Sequence, residues 1–235
     1  FHFGTLSMTH EGVRAATKKA LEIAKKFGAI ISFDPNLRPP LWDSLENAKE
    51  QVLYGLQFCD ILKISDNEIQ WLTGKEDYTD GVNWILDRYD IPLILVSMGK
   101  EGSRAYYKGK MVEAAPFLQK NTIETTGAGD TFGGCVLHFI LERGLEGLTE
   151  DNLTDMLRFA NAAAALFVIN SVIIVVTKYR VAIIPIGPKS PEIFIRVLAM
   201  ASAIPEFCMA DDMANADAMA IRTSQLTNLV YFFAG

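Results

Sequence analysis

Short apolar, β-branched runs alternate with longer stretches of helical spacing through the first hundred residues, and that rhythm leaves few folds open. Glu11 to Phe27 sets Val13, Ala16, Ala20, Leu21, Ala24 and Phe27 at helical intervals, with Lys18, Lys19, Lys25 and Lys26 turned toward water. Gly28 ends that helix. Ala29 to Phe33 follows as a buried strand that empties into the loop Asp34-Pro35-Asn36. Ser44 can cap a second helix running to Phe58. The alternation continues with a strand at Ile61 to Ser65, helices at Asp66 to Leu72 and Asp80 to Tyr89, and a strand at Leu93 to Ser97. Strands joined through helices pair in parallel by right-handed crossovers, so the expectation is an α/β chain with a mostly parallel sheet and helices on both faces.

At Gly99-Lys100-Glu101-Gly102 the rhythm changes. Ser103 to Lys108 and Met111 to Ala115 are short and joined across Lys108-Gly109-Lys110, which predicts a hairpin and an antiparallel edge. Helices at Gly129 to Gly144 and Glu150 to Val168 come next, then β-branched runs at Ser171 to Thr177 and Val181 to Pro185. The 235 residues, half of them hydrophobic, suit one packed domain, placed at residues 1–200, with residues 201–235 an unassigned C-terminal tail. A net charge of -6 without a basic block excludes a nucleic-acid footprint. The apolar stretch Ala162 to Val176 is broken by Asn170 and Ser171 and falls short of the roughly 20 residues a membrane span requires. Cys59, Cys135 and Cys208 are far apart, with no Cys-x-x-Cys pair, so neither zinc nor a disulfide framework is expected and a reducing cytoplasm fits. Phe1 to Thr5 reads as a strand already under way, without the basic and apolar regions of a signal peptide, which implies missing upstream sequence.

In open α/β sheets ligands sit beyond the carboxyl ends of strands, so the loops there carry the functional signal. Glu124-Thr125-Thr126-Gly127-Ala128-Gly129-Asp130-Thr131-Phe132-Gly133-Gly134 stands directly before an apolar helix. Its glycines let the backbone approach a ligand, and the unpaired N–H groups of a helix start, at the positive end of the dipole, bind phosphate oxygens. A carboxylate beside a phosphate is repulsive unless it has work to do. Asp130 can accept the proton of an attacking hydroxyl during phosphoryl transfer. Competing readings are a plain glycine-rich loop with a first-turn charge, and a dinucleotide fingerprint. The fingerprint wants an apolar strand before the loop, where Lys120 to Thr126 is polar, and an acidic residue closing a second strand, where Glu150 and Asp151 open a helix. A Walker A loop is absent.

This motif resembles the second signature of the ribokinase-like (PfkB-type) carbohydrate kinases, and the chain follows that family in order to about Ala165. Asp34-Pro35-Asn36-Leu37-Arg38-Pro39-Pro40-Leu41-Trp42 is similar to the sugar-side segment of bacterial fructokinases, with Phe1 to Ser7 preceding it. The resemblance implies a three-layer α/β/α fold. It makes Asp130 the general base, with Gly127, Ala128 and Gly129 forming the anion hole for the transferring phosphate. Asn36 and Arg38 match positions near the sugar. Lys63-Ile64-Ser65-Asp66-Asn67-Glu68 resembles the family's N-x-x-E segment, whose Glu68 equivalent organises magnesium through water, and Asp66 can also cap its helix. Ser97, Gly99 and Gly102 match the nucleotide loop, and Asn161 a position near the adenine. His2, His10 and His138 have no ligand spacing, and Trp42, Trp71 and Trp84 read as packing.

The chain departs from the family in lacking its N-terminal third, which supplies the first strands, the β-lid and further sugar contacts. Glu124 replaces an Asp, and the region after Ala165 is altered near the monovalent-cation and adenine positions, which leaves potassium as an open alternative. The expectation is an ATP- and magnesium-dependent sugar kinase, foremost a fructokinase. The alternatives are a 2-keto-3-deoxygluconate or nucleoside kinase of the same family, and an inactive nucleotide-binding fragment. Its expected partners are small molecules, with neither nucleic acid nor membrane, and a homodimer is left open.

Overall fold

Strand register divides the molecule into two faces with different chemistry. The computed structural model describes residues 1–117, 127–167, 172–177 and 180–185. Six strands, β1 (His2–Gly4), β2 (Ser32–Asp34), β3 (Ile61–Ser65), β4 (Leu93–Ser97), β5 (Ser103–Tyr107) and β6 (Lys110–Ala114), lie side by side in that order. The first four pair in parallel, and β5 and β6 add antiparallel. The β5–β6 turn needs positive φ at both central residues, and Lys108 (φ 49°) and Gly109 (φ 76°) supply it.

Side chains alternate across the pleat, so each strand feeds two cores. Phe33, Leu62, Ile64, Ile94 and Val96 face one side, where they meet Leu21 of α1 (Glu11–Lys26), Val52 of α2 (Leu45–Leu56), Ile69 of α3 (Asp66–Thr73) and Ile85 of α4 (Tyr78–Leu86). Ile61, Leu93, Leu95, Ala105 and Tyr107 face the other. They meet Val136 of α5 (Ala128–Arg143) and Leu157 of α6 (Glu150–Phe167). The result is the expected α/β/α layering. The strand order follows the chain from β1 to β4, and right-handed crossovers in one direction place α1 to α4 on one side, leaving α5 and α6 to cover the other.

Several local readings are sharpened. β2 begins at Ser32 rather than Ala29, because the Ile31 N–H turns to the Asp60 carboxylate at 2.7 Å instead of to a neighbouring strand. α4 begins at Tyr78, since Asp77 caps it by accepting the Asp80 N–H. Ser44 caps α2 as expected. On α1 the buried residues are Thr17, Leu21 and Ala24, whereas Val13 and Phe27 are exposed. Thr17 is accommodated because its hydroxyl donates to the Ser7 carbonyl at 2.9 Å.

The apolar stretch Ala162 to Val176 divides between α6 and strand β7 (Val172–Thr177), which pairs antiparallel with β8 (Arg180–Pro185). Among the described residues no helix is long and apolar enough to cross a membrane. Residues 1–186 form one compact unit, and the expected boundary at residue 200 and the tail beyond it lie outside the described residues.

Candidate active site

The register that builds the two cores also gathers the polar residues. His2 pairs with Ser32 and Ser32 with Ile61; the next row runs Gly4, Asp34, Lys63, Leu95. These residues point to the α5 side of the sheet. On that side β1 to β3 carry His2, Ser32, Asp34 and Lys63, whereas β4 and β5 carry Leu93, Leu95, Ala105 and Tyr107, and the first turn of α5 comes down beside the polar residues.

α5 starts at Ala128 after Gly127, whose left-handed φ of 89° requires glycine. The Thr131 N–H closes on the Gly127 carbonyl at 2.9 Å, so the N–H groups of Ala128, Gly129 and Asp130 have no acceptor within the helix. Asp130 is exposed and lines a cleft of about 540 Å³ together with His2, Asp34 and Asn36. Thus the expected base and one expected sugar residue share a cleft. Asn36 enters it in a left-handed conformation (φ 45°), a state that asparagine tolerates better than most residues. Arg38 is exposed and spends one N–H on the adjoining Leu37 carbonyl at 3.3 Å; it is not part of the cleft wall.

Beneath the cleft, Lys63 Nζ lies 2.9 Å from Asp34 Oδ2, with both side chains largely buried. A Cβ on Gly129 would stand 3.1 Å from that ammonium. Burial raises the Asp34 pKa to about 6, assisted by the negative charges of Glu68 and Asp130 and opposed by Lys63. The His2 pKa is lowered by loss of solvent, against the pull of Asp130. Reading by local pattern assigns His2 and Lys63 no role and Asp34 only a motif position. The signal was the strand register, which brings together residues about thirty positions apart.

Glu68 is committed within the protein. One oxygen accepts the Leu37 N–H at 2.7 Å, and the other accepts the Ser65 N–H at 2.9 Å and its hydroxyl at 2.8 Å. The cap of α3 is therefore Ser65, in a capping box with Glu68, and Asp66 is the first helical residue. Glu68 thereby clamps the loop after β2 to the start of α3. Direct ligation of a cation would compete with these bonds. Among the described residues no group of three or more His, Cys, Asp or Glu side chains is placed to hold a metal ion.

The expected nucleotide residues form a second group. Ser97 lies opposite Ser65 in one pairing and Ser103 in another. Gly102 adopts φ 99°, and a Cβ there would stand 2.2 Å from the Ala114 carbonyl oxygen, so no other residue fits. Gly99, also at positive φ, has open space around it. Asn161 is buried and bonds inward: its Oδ1 accepts the Ser103 hydroxyl at 2.9 Å, and its Nδ2 donates to the Ala114 and Ala115 carbonyls at 3.1 Å. It ties α6 to the end of β6. Glu124 and the cation positions expected after Ala165 lie outside the described side chains.

The sequence matches the family described as pfkB family carbohydrate kinase over residues 1–172. The chain belongs to the pfkB family of carbohydrate kinases. Among curated relatives it is 40% identical over 166 residues to the probable fructokinase-2 of Arabidopsis thaliana, covering 71% of this chain and 50% of that one. It is 39% identical over 166 residues to fructokinase-1 of Zea mays, covering 71% and 51%. The chain thus spans about half the length of the curated relatives it matches. Among solved structures, the fructokinase double mutant of Vibrio cholerae O395 in its fructose-, ADP- and potassium-bound form superposes with a TM-score of 0.65 at 28% identity, over 71% of this chain and 53% of that one. A putative ribokinase II of E. coli in complex with ATP and magnesium gives 0.61 at 28%, over 72% and 52%. The pfkB kinase fold is therefore present in this chain over β1 to α6.

Proposed function

We propose that this chain carries the phosphoryl-transfer centre of an ATP-dependent sugar kinase acting on fructose. The observation that carries the reading is the meeting of Asp130 with the open N-terminus of α5 in one cleft with Asn36. A sugar hydroxyl in that cleft gives its proton to the Asp130 carboxylate as its oxygen bonds the γ-phosphorus of ATP. The N–H groups of the Gly127 to Asp130 segment offset the charge on the phosphoryl oxygens. Fructose comes first among acceptors because the relatives at 39–40% identity are fructokinases.

The nucleotide enters from the side of Ser97, Gly99 and Gly102, where Gly99 has open space for phosphate or ribose, Gly102 lets the Ala114 backbone close in, and Asn161 holds the wall behind them. Magnesium, were it bound with ATP, would supply charge neutralisation of the phosphates. Glu68, whose oxygens are engaged by Leu37 and Ser65, would hold such an ion only through water. Two buried free cysteines, Cys59 and Cys135, fit a reducing cytoplasm.

The test is ADP release measured with fructose, ribose, 2-keto-3-deoxygluconate and adenosine in turn. Turnover with fructose, reduced by about a hundredfold or more in Asp130→Asn while ATP still binds, is the expected result. Near-normal turnover in that variant would remove Asp130 from the mechanism. The coverage of about half the relatives' length favours one second reading, a nucleotide-binding piece that turns over none of the four.

A further inference from the structure

The polar side chains that line the cleft fall into two groups. Ser7, Thr17 and Asp34 are committed within the protein: Ser7 donates its hydroxyl to the Gly4 carbonyl at 3.0 Å, Thr17 donates to the Ser7 carbonyl at 2.9 Å, and Asp34 is buried with one oxygen held by Lys63. Asp130, Asn36 and His2 are open to the cleft. The first two already have parts in the proposed reaction. His2 has none. Its ring is anchored at one nitrogen, where Nδ1 lies 3.1 Å from the hydroxyl of buried Ser32, and among the described residues Nε2 has no partner. Loss of solvent lowers the pKa of the ring; Asp130 on α5 opposes that, and the Phe1 α-amino group and Lys63 on β3 add to it. A neutral imidazole has one donor and one acceptor nitrogen, so whichever role Nδ1 takes toward Ser32, Nε2 keeps the other. The floor beside the ring is bare. Gly4 faces the same side of β1 two residues on, and a Cβ there would stand 2.8 Å from the Asp34 carbonyl oxygen, so no second side chain crowds the imidazole.

We propose that His2 is a sugar-binding residue, holding through Nε2 a hydroxyl of the acceptor other than the one that reacts at Asp130. This rests on the phosphoryl-transfer reading above. A polyol has hydroxyls to spare, and the cleft of about 540 Å³ offers three uncommitted side chains on three different elements: His2 on β1, Asn36 after β2 and Asp130 on α5. Three separate attachments fix the orientation of the acceptor, which brings the reacting oxygen to one place relative to Asp130. An acceptor without a hydroxyl at this point leaves Nε2 unpaired, and that is where discrimination arises. His2 neither gains nor loses a proton in the transfer; the proton of the reacting hydroxyl still passes to Asp130.

The test is ADP release by the full chain with fructose and with the set of fructose analogues that each lack one hydroxyl other than the reacting one. His2→Phe keeps a flat ring and removes both nitrogens. The KM for fructose should rise about tenfold while that for ATP changes less than about twofold, as expected for one lost hydrogen bond to the sugar. For the analogue that lacks the hydroxyl held by His2, the wild type and His2→Phe should show the same KM, because the bond is already missing; the other analogues should show the full difference. A rise of equal size for fructose and every analogue marks a structural role. That result, a parallel rise for ATP, or no rise at all overturns the proposal and leaves the kinase reading standing. A wild-type chain that releases ADP with none of these sugars overturns both. Should the Phe variant not fold, His2→Ala is read in the same way.

Discussion

Asp34 keeps its proton to a higher pH in the folded chain than in the unfolded one, from an ordinary 3.8 to about 6, because burial costs its ionised form more than Lys63 returns. Between those values the native state binds more protons than the unfolded state, so the contribution of this group to stability is greatest below pH 4 and declines as pH rises toward 6. The groups around it are His2 on β1, Lys63 on β3, Glu68 on α3 and Asp130 on α5. Thermal melts at pH 4 and pH 7 should show the wild type losing ground relative to Asp34→Asn as pH rises; parallel behaviour would mean that Lys63 neutralises the carboxylate fully. At this scale the sequence was legible where a residue acts through its own neighbours, as in Gly127 to Asp130, where helix start and carboxylate are contiguous. Lys63 and Asp34 were illegible because their partnership spans 29 positions and exists only through the pairing of β2 with β3.

Elements were read well where periodicity alone decides them, as in α5, α6 and the β5–β6 hairpin, and less well where a particular hydrogen bond decides. The start of β2 was shifted by Asp60, and the inward face of α1 by the satisfied hydroxyl of Thr17. Packing between elements supplies two further tests. A Cβ on Gly55 of α2 would stand 2.7 Å from the Phe33 ring, which itself stacks on Phe3 with centroids 4.4 Å apart. Gly55→Ala should therefore cost about 1–3 kcal/mol in urea denaturation through overpacking, partly offset by better helix propensity. Ser65→Ala removes the hydroxyl that accepts the Glu68 N–H and leaves Glu68 Oε2 with the backbone N–H of residue 65 alone, and should cost ~1 kcal/mol by the same measurement. Because Glu68 also holds Leu37, that change should raise the KM for the sugar more than it lowers kcat.

At the scale of the molecule, exposed apolar side chains are frequent, among the described residues, along β1, α1 and their flanking turns. Phe1, Leu6, Val13, Ile23, Phe27 and Ile30 are all exposed there, and among the described residues β1 has an unpaired outer edge. Such a face promotes association. Ile23→Lys with Phe27→Lys should lower hydrophobic-dye fluorescence and raise the monomeric fraction in light scattering without lowering Tm. A fall in Tm of more than about 4 °C would mean that these side chains are packed rather than bare. The row of Gly4, Asp34, Lys63 and Leu95 has a different bearing on the molecule as a whole. A one-residue slip between strands turns every side chain of the slipped strand to the opposite face, so a misaligned β2 or β3 would drive Asp34 or Lys63 into the oily layer beneath α1 to α4. Mispaired chains would carry a bare charge in hydrocarbon and be discarded energetically, so the pair beneath the cleft also works as a proofreader of strand alignment.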